Sequence, residues 1–530
     1  MKKKLIMLGS ILLLAGCFLF SNYTNNKSFS LMNQVSEENA MRVKASRTEK
    51  SVLDFSCLLC NDVRVPFDSA GKTFYISLNM EEEAWEKMSF MSGQPEYEIL
   101  FLEDLMQNDK KEMIATGEKV PLIVYNDTEY AYYFVNFTGL PLIDLSTDVG
   151  MWQENIEGRM MFYDTDFTVH GVKESAYNAH IRGNTSRMYP KKGYKVNLVK
   201  NTVSGTEVNN KLALFGMRED DDWILYALYN DESKIRDRLC IDIWNILGAK
   251  TVSGKSTYGT NLTYVEVIAD NSYCGLYGLM EPVDAKQLNL SSEDYLYKRK
   301  SPNSLEYDTF YYEEDPYKMV CGFEIKSGEM NEDAWKPMAE LSKFLQDTSD
   351  DEFIASVEKY MDEDNAMRMW LFIQMITGYD QMAKNIFYVA KYEEGGYKFY
   401  FAPWDMDLTW GNVSVGEVNP YYTAYERDTI DNRVYWDVGD SLIDNNYHDS
   451  VAHMENFYTE IRKTVLTDEK VEEMILELDS ELRNSGAFAR DKERWPEGLH
   501  AENCEELISY ATERLEFLDK ALYNFEYFDN

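Results

Sequence analysis

The chain has 530 residues, with 53 Lys and Arg against 92 Asp and Glu, and a formal net charge of −39 at pH 7. Such a surface repels phosphate backbones, which argues against nucleic acid as a partner, and an anionic nucleotide would need a local positive pocket. Hydrophobic residues make up 45% and aromatic residues 14% of the chain. That content supports cores in about two to four domains and argues against disorder.

The cysteines are too sparse for a disulfide scaffold. Cys57 and Cys60 form a CxxC pair, but no second CxxC and no histidine pair lies at zinc-binding spacing. We therefore expect a local disulfide or two core thiols rather than a metal or redox centre.

The N-terminus carries a targeting signal. Three lysines at positions 2–4 precede the apolar run Leu5–Ala15, which is short for a membrane span. The following Cys17 completes a stretch that resembles a bacterial lipobox, which implies lipidation of Cys17 and anchoring to the bacterial cell membrane on its extracellular face. The apolar residues 18–20 leave an uncleaved signal anchor as the alternative. Residues 1–20 are thus interpreted as signal or anchor, and residues 21–50 as a polar tether.

Short alternating runs predict a small β-rich domain over residues 51–138, with a role in spacing or binding. A boundary is expected near residue 138, give or take about ten residues. A second series of strands is predicted to follow it, from Leu140 through Gly158–Tyr163 to Asp166–Val169.

The segment 180–198 combines a strand, a turn with Gly, Asn, Thr and Ser, and a second strand bearing an inward Lys195. Backbone N–H groups and hydroxyls of such a turn can meet phosphate oxygens while Arg182 and Lys195 neutralise them. Each part also has an ordinary structural interpretation, because Arg182 could form a surface ion pair and a basic hairpin is often a solvated edge.

Helical spacing of apolar residues predicts a helix over 235–247, with Gly248 as its stop. A strand pair is predicted at Tyr264–Ile268 and Leu276–Glu281. Residues 287–360 are acidic and rich in Tyr, and are interpreted as an insertion without a site, containing one helix over Asp333–Leu345.

An apolar helix over Ala366–Ile376 is predicted to deliver Asp380. A hairpin follows, with strands Ile386–Ala390 and Tyr397–Ala402, and the second strand leads to Asp405. Two acids are therefore expected at neighbouring chain ends. Amphipathic packing helices are predicted further on, over 469–482 and 505–522.

An Asp, an Asn five residues later and an Asp after a strand stand in the order in which kinase-like sites place a catalytic base and two metal ligands. Here they are Asp380, Asn385 and Asp405. Such spacings also arise by chance in a chain rich in Asp and Asn, and neither HRD nor DFG is present.

Five blocks together resemble, in order, the CotH family, which is named for a spore coat protein and regarded as atypical kinases. The blocks are Ile181–Ser186 with Lys191–Lys195, Asp222–Leu225 with Ser233–Arg236, Tyr273–Glu281, Asp380–Asn385, and Pro403–Asp407. The resemblance implies an α+β chain whose residues 139–530 form a divergent protein-kinase-like fold of two lobes, about 139–283 and 284–530, after the small β-rich domain. The lobes would join near Glu281.

The resemblance also implies ATP-dependent phosphorylation of Ser or Thr in a protein substrate, with Mg²⁺ or Mn²⁺. Asp380 would be the catalytic base, and the metal would be held by Asn385 and Asp405, with Asp407 as a further ligand or a support for Asp405. The residues expected to bind ATP are Arg182, Asn184, Lys195 and Glu281. Gly193 stands where the family often has Pro.

An exported kinase meets little ATP outside the cell, so a second hypothesis is a non-catalytic surface-binding, adhesion or envelope-assembly module on the same scaffold. An enzyme of surface polysaccharide is a third. Presence of Asp380, Asn385, Asp405 and Lys195 favours catalysis over the alternatives.

Overall fold

The computed structural model describes residues 29–30, 37–78, 88–103, 109–183, 185–201, 208–248, 259–301, 303, 305–393, 395–412 and 433–522. Cys17 and Asn184, as well as the predicted signal, lie outside these residues. The chain is a mixture of helices and several sheets, so the α+β prediction is confirmed at that level. No helix in the described ranges is long and apolar enough to cross a membrane.

The N-terminal part is β-rich. A four-stranded sheet has the order β1-β7-β3-β4, and a six-stranded sheet has the order β5-β6-β10-β9-β8 with β2 added beside β10. The elements are β1 (Phe29–Ser30), α1 (Glu37–Ala45), β2 (Thr48–Glu49), β3 (Leu58–Cys60), β4 (Val63–Arg64), β5 (Phe67–Asp68), β6 (Thr73–Ser77), β7 (Ser89–Ser92), β8 (Glu98–Phe101), α2 (Lys110–Thr116), β9 (Lys119–Tyr125) and β10 (Glu129–Thr138).

The tether prediction is wrong for residues 37–49. Residues 37–45 form α1 and residues 48–49 form β2. Strand β2 pairs in parallel with β10, and Thr48 lies opposite Glu129. Lys50 adds an ion pair to Glu129 at 3.1 Å.

Cys57 and Cys60 are free thiols, and burial raises the pKa of Cys60 to about 12. Of the two alternatives for this CxxC pair, the structure has the pair of thiols.

The next part is a closed barrel of seven strands in the order β11-β12-β13-β14-β17-β19-β18. Its elements and the pieces between them are β11 (Leu142–Thr147), β12 (Asn155–Tyr163), α3 (Phe167–His170), β13 (Lys173–Ile181), β14 (Tyr194–Val199), β15 (Leu212–Ala213), β16 (Glu219–Asp220), β17 (Asp222–Tyr226), α4 (Arg236–Leu247), β18 (Leu262–Ala269) and β19 (Ser272–Met280). The predicted strand at Asp166–Val169 is wrong, because the segment makes one short helical turn.

Strand alternation decides where the side chains of β14 point. Tyr194 and Val196 belong to the core inside the barrel, whereas Lys195 between them is exposed. The prediction of an inward Lys195 is therefore wrong, because its side chain points away from the barrel interior. It lies on the outer face, on the same side of the strand pair as Arg182, opposite His180 and Ile224 on the neighbouring strands.

That outer face turns toward the C-terminal half at β17. Ile224 belongs to the large C-terminal core, and Tyr226 packs against it. Helix α4 confirms the predicted helix over 235–247 and buries its apolar residues in the same core. The barrel and the C-terminal half therefore share one hydrophobic interface.

The C-terminal half contains a four-stranded sheet in the order β21-β20-β22-β23, surrounded by helices. Its elements are β20 (Tyr295–Arg299), α5 (Tyr307–Tyr311), β21 (Phe323–Ser327), α6 (Lys336–Asp347), α7 (Asp350–Tyr360), α8 (Glu363–Ile376), α9 (Tyr379–Ala383), β22 (Ile386–Glu393), β23 (Gly396–Pro403), α10 (Asp437–Ile443), α11 (Ser450–Thr464), α12 (Asp468–Asn484), α13 (Ala487–Arg494) and α14 (Glu505–Ala521).

The hairpin β22–β23 and the helices α8, α12 and α14 confirm the predictions for those segments. The interpretation of residues 287–360 as an insertion is wrong at β20. This strand lies inside the sheet and pairs with β22, opposite Ile386 and Phe387 at the end that leads to the site.

Candidate active site

Asp380 is placed by a sharp turn between two helices. Helix α8 is mostly buried and ends at Ile376, and the next residue, Thr377, caps it in a left-handed conformation with φ 49°. The short helix α9 then carries Asp380. Gln381, one residue later, donates from Nε2 to the carbonyls of Trp404 at 3.0 Å and Asp405 at 3.1 Å. The turn bearing Asp380 is thereby fastened to the end of β23.

Asn385 and Asp405 occupy the two ends of the hairpin β22–β23. The backbone amide of Trp404 donates to the carbonyl of Asn385 at 2.9 Å. Asn385 Nδ2 donates to Asp380 Oδ2 at 3.2 Å. Asn385 and Asp405 both have positive φ angles, 59° and 58°. Asn and Asp tolerate this region, and residues held there cluster at functional sites. The three residues predicted from their spacing therefore do lie together.

Two further carboxylates approach this group. Asp407 accepts from Asn230 Nδ2 at 3.0 Å, and the backbone amide of Met406 donates to Asp237 Oδ1 at 2.8 Å. Burial, with a contribution from Asp405, raises the pKa of Asp407 to about 7. Burial and then the charges of Asp407 and Asp405 raise the pKa of Asp237 well above its ordinary value. The loop 405–407 therefore concentrates more negative charge than the nearby protein neutralises.

The carboxylate of Asp380 is mostly buried and has one close cation. Lys384 lies one helical turn away, with its Nζ 2.9 Å from Asp380 Oδ2. Burial raises the pKa of Asp380, and Lys384 opposes part of that rise. Asp380 is thus a carboxylate whose proton affinity is increased but which keeps a partner for its ionised form.

The oxygen atoms of this site suit a hard divalent cation. Mg²⁺ is commonly held by one or two carboxylates with waters and substrate phosphates, rather than by a full protein cage. Asp405 and Asp407 supply the carboxylates. The side-chain oxygen of Asn385 is available as a neutral metal ligand, because the hydrogen bond to Asp380 uses its Nδ2. The donor set therefore fits the predicted metal, although no three of these acids converge on one point.

A tighter acidic cluster occurs elsewhere. Asp220, Asp221 and Asp222 form the group of three carboxylates in the described ranges whose oxygens lie within 4.8 Å of one another. Lys286 Nζ lies 2.9 to 3.0 Å from all three. With Arg218, which lies 2.6 Å from Asp220 Oδ2, Lys286 already gives this cluster two cations of the protein's own.

Two cations flank Trp404 beside the acids. Lys298 Nζ, from β20, lies 5.4 Å from the centre of the Trp404 ring, and the Arg182 guanidinium lies 5.5 Å from it. Arg182 also lies 5.7 Å from the ring of Tyr226. Burial lowers the pKa of Lys298 to about 8, while the charge of Asp405 opposes this shift.

Arg182 reaches this position from the turn after β13. Gly183 follows with φ 99°, and a Cβ there would lie 1.9 Å from Ser186 Oγ, so only glycine fits. Arg182 is thus the one predicted nucleotide-binding residue in the described ranges that contacts the Asp405 end of the hairpin, through Trp404.

Lys195 and Glu281 lie apart from Asp380. Lys195 is about half exposed, with Nζ 3.9 Å from Asp222 Oδ1, and lines a polar cavity of about 430 Å³ on the outer barrel face. Glu281 is buried and accepts from the Arg218 amide and from Asn261 Nδ2, each at 2.9 Å. Within the described residues, neither has a hydrogen bond or ion pair with Asp380, Asn385, Asp405 or Asp407.

Asp237, Lys298 and Asn230 are site residues that sequence reasoning missed. Asp237 stands between Arg236 and Arg238, which suggests a surface ion pair. Lys298 lies in a strand whose neighbours Tyr295, Leu296, Tyr297 and Arg299 are all buried, so it shows no alternation. Asn230 lies three residues before the block Ser233–Arg236, and that proximity was the available signal.

A search of the curated proteins found no match. A scan of family models matched the family described as CotH kinase protein over residues 179–518. This range includes most of the barrel and all four acids, and it covers more than half of the chain. The chain belongs to the CotH kinase protein family.

Proposed function

We propose that the protein is a kinase that transfers the γ-phosphoryl group of ATP to a Ser or Thr hydroxyl of a protein substrate, with Mg²⁺ or Mn²⁺. The observation that carries the proposal is the convergence of Asp380, Asn385 and Asp405 on two adjacent chain ends, fastened by the hydrogen bonds of Gln381 and Asn385. Membership of a kinase family supports it.

Asp380 acts on the acceptor hydroxyl. Its carboxylate accepts the hydroxyl proton as the oxygen bonds to the γ-phosphorus and the bond to the leaving ADP oxygen breaks. A catalytic group works best when its pKa lies near the operating pH, and the raised pKa of Asp380 is a shift in that direction. Lys384, at 2.9 Å, keeps the carboxylate oriented and ionised before the acceptor enters.

Asp405 and Asp407 would hold the divalent cation, with Asn385 as a neutral ligand. When bound, the metal neutralises phosphate charge and aligns the transferred group. Asp237 supports this arrangement by accepting from the Met406 amide, which sets the direction of the loop between the two ligand residues. The raised pKa values of Asp237 and Asp407 reflect burial first and then the cost of ionising these acids beside one another.

We interpret the barrel with α4 as the first lobe of a kinase-like fold, and the sheet β20–β23 with its helices as the second. The contact of Arg182 with Trp404, and the packing of Tyr226 against the C-terminal core, support a site between the two lobes. Glu281 is then a residue of the connection between lobes, with its carboxylate bonded to Arg218 and Asn261.

We also propose that the protein is attached to the outside of the cell. The lipobox-like sequence supports export, lipidation of Cys17 and attachment to the outer face of a bacterial cell membrane. Labelling of cells with a radioactive fatty acid tests this: label on the parent chain and none on Cys17→Ser is expected. Equal label on both would contradict lipidation at this residue.

Transfer is tested with γ-labelled ATP, Mg²⁺ or Mn²⁺, and a panel of Ser- and Thr-rich acceptor proteins. Asp380→Asn should reduce incorporation by about 10²- to 10⁴-fold, the usual contribution of general base catalysis. Asp364→Asn is the matched control, because Asp364 lies on the exposed side of α8 and pairs with Arg368. Equal incorporation by the parent and Asp380→Asn would contradict the role of Asp380. A parent chain that binds no ATP and transfers no label to any acceptor would favour the non-catalytic binding module.

A further inference from the structure

Two cations near the acids have no acceptor of their own. Lys298 and Arg182 form no ion pair within 4.0 Å among the described residues, and neither side chain donates a hydrogen bond there. Lys298 is nevertheless only partly exposed, and its Nζ lies beside the packed rings of Phe387 and Trp404, at 5.5 and 5.4 Å from their centres. A buried ammonium without a hydrogen-bonded partner is costly unless a ligand completes it.

The indole of Trp404, which lies beside both cations, offers a third hydrogen-bond donor. Trp404 is 4% exposed, and its buried Nε1–H has no hydrogen-bond partner in the described part of the chain. Buried polar groups in folded proteins are nearly always hydrogen-bonded, so an orphaned donor marks a place for a missing acceptor. The ammonium, the guanidinium and the indole N–H are all donors, and none of them can accept.

The three donors come from different halves of the molecule. Arg182 belongs to the turn that leaves the barrel strand β13, whereas Lys298 and Trp404 lie at the ends of β20 and β23. The aromatic faces hold both cations beside Trp404, at 5.4 and 5.5 Å from its ring. A ligand bound here would therefore bridge the two halves and bring them together.

The neighbouring carboxylates restrict which anion can enter. Asp405 follows Trp404 directly, Asp407 comes two residues later, and the Met406 amide between them donates to Asp237 Oδ1 at 2.8 Å. A bare anion would be repelled by these acids, while an anion that carries a divalent cation would satisfy both the acids and the donors. Several phosphoryl oxygens joined to one metal ion match this pattern better than a single carboxylate, because they offer acceptors on two sides.

We propose that Lys298, Arg182 and Trp404 form an anion clamp that binds the polyphosphate of a metal–nucleotide complex. The inference rests on the proposed function and assigns its phosphate contacts. It moves the main phosphate-binding lysine from Lys195, which lies half exposed on the outer barrel face, to Lys298. In the absence of ligand, Lys298 acts as a partial counter-charge for Asp405, and the polyphosphate replaces that interaction.

The test is a calorimetric titration of the full-length chain with magnesium pyrophosphate and, separately, with magnesium ATP. Lys298→Gln and Arg182→Gln should each weaken pyrophosphate binding by about tenfold or more, since a charge-assisted hydrogen bond is lost. Lys298→Arg should retain most of the affinity. Lys343→Gln removes the same charge from an exposed residue of α6 that is not part of the clamp, and should change affinity by less than about twofold. Circular dichroism checks that each variant is folded.

The outcomes separate the clamp from the kinase proposal. Pyrophosphate binding that depends on Lys298 supports the clamp even if the parent transfers no phosphate, in which case only the proposed function fails. Phosphate transfer by the parent, with unchanged affinity in Lys298→Gln and Arg182→Gln, overturns the clamp and leaves the proposed function standing. Loss of affinity in Lys195→Gln with none in Lys298→Gln returns the phosphate contact to Lys195 and also overturns the clamp. A parent that binds neither pyrophosphate nor ATP overturns both.

Discussion

Two buried groups of charges in this molecule differ in how they are neutralised. The first, which we call the paired cluster, consists of Lys191, Asp491, His500 and Lys234 at the junction of the barrel with α13. Lys191 Nζ lies 2.7 Å from Asp491 Oδ1, the Leu276 amide donates to the same oxygen at 2.9 Å, and His500 Nε2 lies 3.3 Å from Oδ2. Each oxygen of Asp491 has a partner within the protein.

The second group, the open cluster, consists of Asp237, Asp405 and Asp407 with Lys298 and Arg182. Here the acids crowd one another, while the two cations have no acceptor among the described residues. Opposite charges are near one another, yet they are not joined as direct pairs. An arrangement of this kind leaves oxygens for a metal and donors for an anion.

The comparison separates a structural use of buried charge from a ligand-binding use. In the paired cluster, burial alone would raise the pKa of Asp491, but Lys191, His500 and Lys234 outweigh it and hold that pKa well below its ordinary value. In the open cluster, burial and like charges raise the pKa of Asp237 and Asp407. The folded protein thus favours the charged acid at one place and opposes it at the other.

The largest expected effect comes from breaking the paired cluster. Lys191→Met leaves Asp491 buried without its main cation, and should lower the free energy of unfolding by about 3–5 kcal/mol. Urea denaturation measures this. Folded Lys191→Met should still bind magnesium ATP like the parent, because the paired cluster is not part of the candidate active site. Normal stability with impaired ATP binding would contradict the division between the two clusters.

The pH dependence of the same pair gives a second check. Because the folded-state pKa of Asp491 lies below its unfolded value of about 3.9, its stabilisation is present above that pH and is lost as pH falls further. The parent should therefore keep this contribution at pH 6 and lose it below about pH 4, and its advantage over Lys191→Met should shrink as falling pH protonates the buried Asp491 of the variant. A difference that is constant down to pH 2.5 would exclude this linkage.

Breaking the open cluster should act on binding instead. Asp405→Asn keeps the shape of the side chain but removes the charge that a divalent cation requires, and should weaken magnesium ATP binding by at least about 100-fold. Asp444→Asn, an exposed acid paired with Arg433, is the matched control. Calorimetry measures both. Magnesium-dependent affinity within about threefold of the parent would remove Asp405 from the site.

Asp237→Asn should sharpen the contrast with Lys191→Met. Asparagine can still accept from the Met406 amide, but it no longer adds a negative charge to the loop 405–407. We expect ligand-free stability at pH 8 to be equal to the parent or higher by about 1 kcal/mol, with weaker magnesium affinity. Destabilisation as large as that of Lys191→Met would mean that the open cluster is a structural pair.

The smallest effect is expected at Asn230. Asn230→Ala removes one hydrogen bond from an amide group to Asp407, of 3.0 Å, which corresponds to about 1 kcal/mol. Affinity for magnesium ATP should fall roughly fivefold. A titration that shows a loss as large as that of Asp405→Asn would indicate that Asn230 contacts the ligand itself.

Much of the C-terminal half could be predicted from sequence, because its signals are local. The apolar run of α8 and the hairpin β22–β23 are continuous in the chain, so the spacing of Asp380, Asn385 and Asp405 placed them correctly at neighbouring ends. The roles of these residues, and the two lobes, remain predictions.

The rest depended on contacts between distant segments. Strand β20 is buried on both faces, so its sequence shows no period of two and Lys298 was assigned to an insertion. Asp237 approaches Met406 across 169 positions of sequence. For Lys195, the alternation of β14 was visible, but the face turned to the barrel interior was set by neighbouring strands. Local patterns give elements, and the pairing of elements gives their faces.

The most direct test of the central claim is a titration of the full-length chain with ATP, with Mg²⁺ present and with Mg²⁺ removed by a chelator. If the open cluster is a metal–nucleotide site, ATP should bind tightly with Mg²⁺ and at least about tenfold more weakly without it, because the acids repel the bare polyphosphate. Equal affinity in both conditions, or binding only without Mg²⁺, would contradict the account.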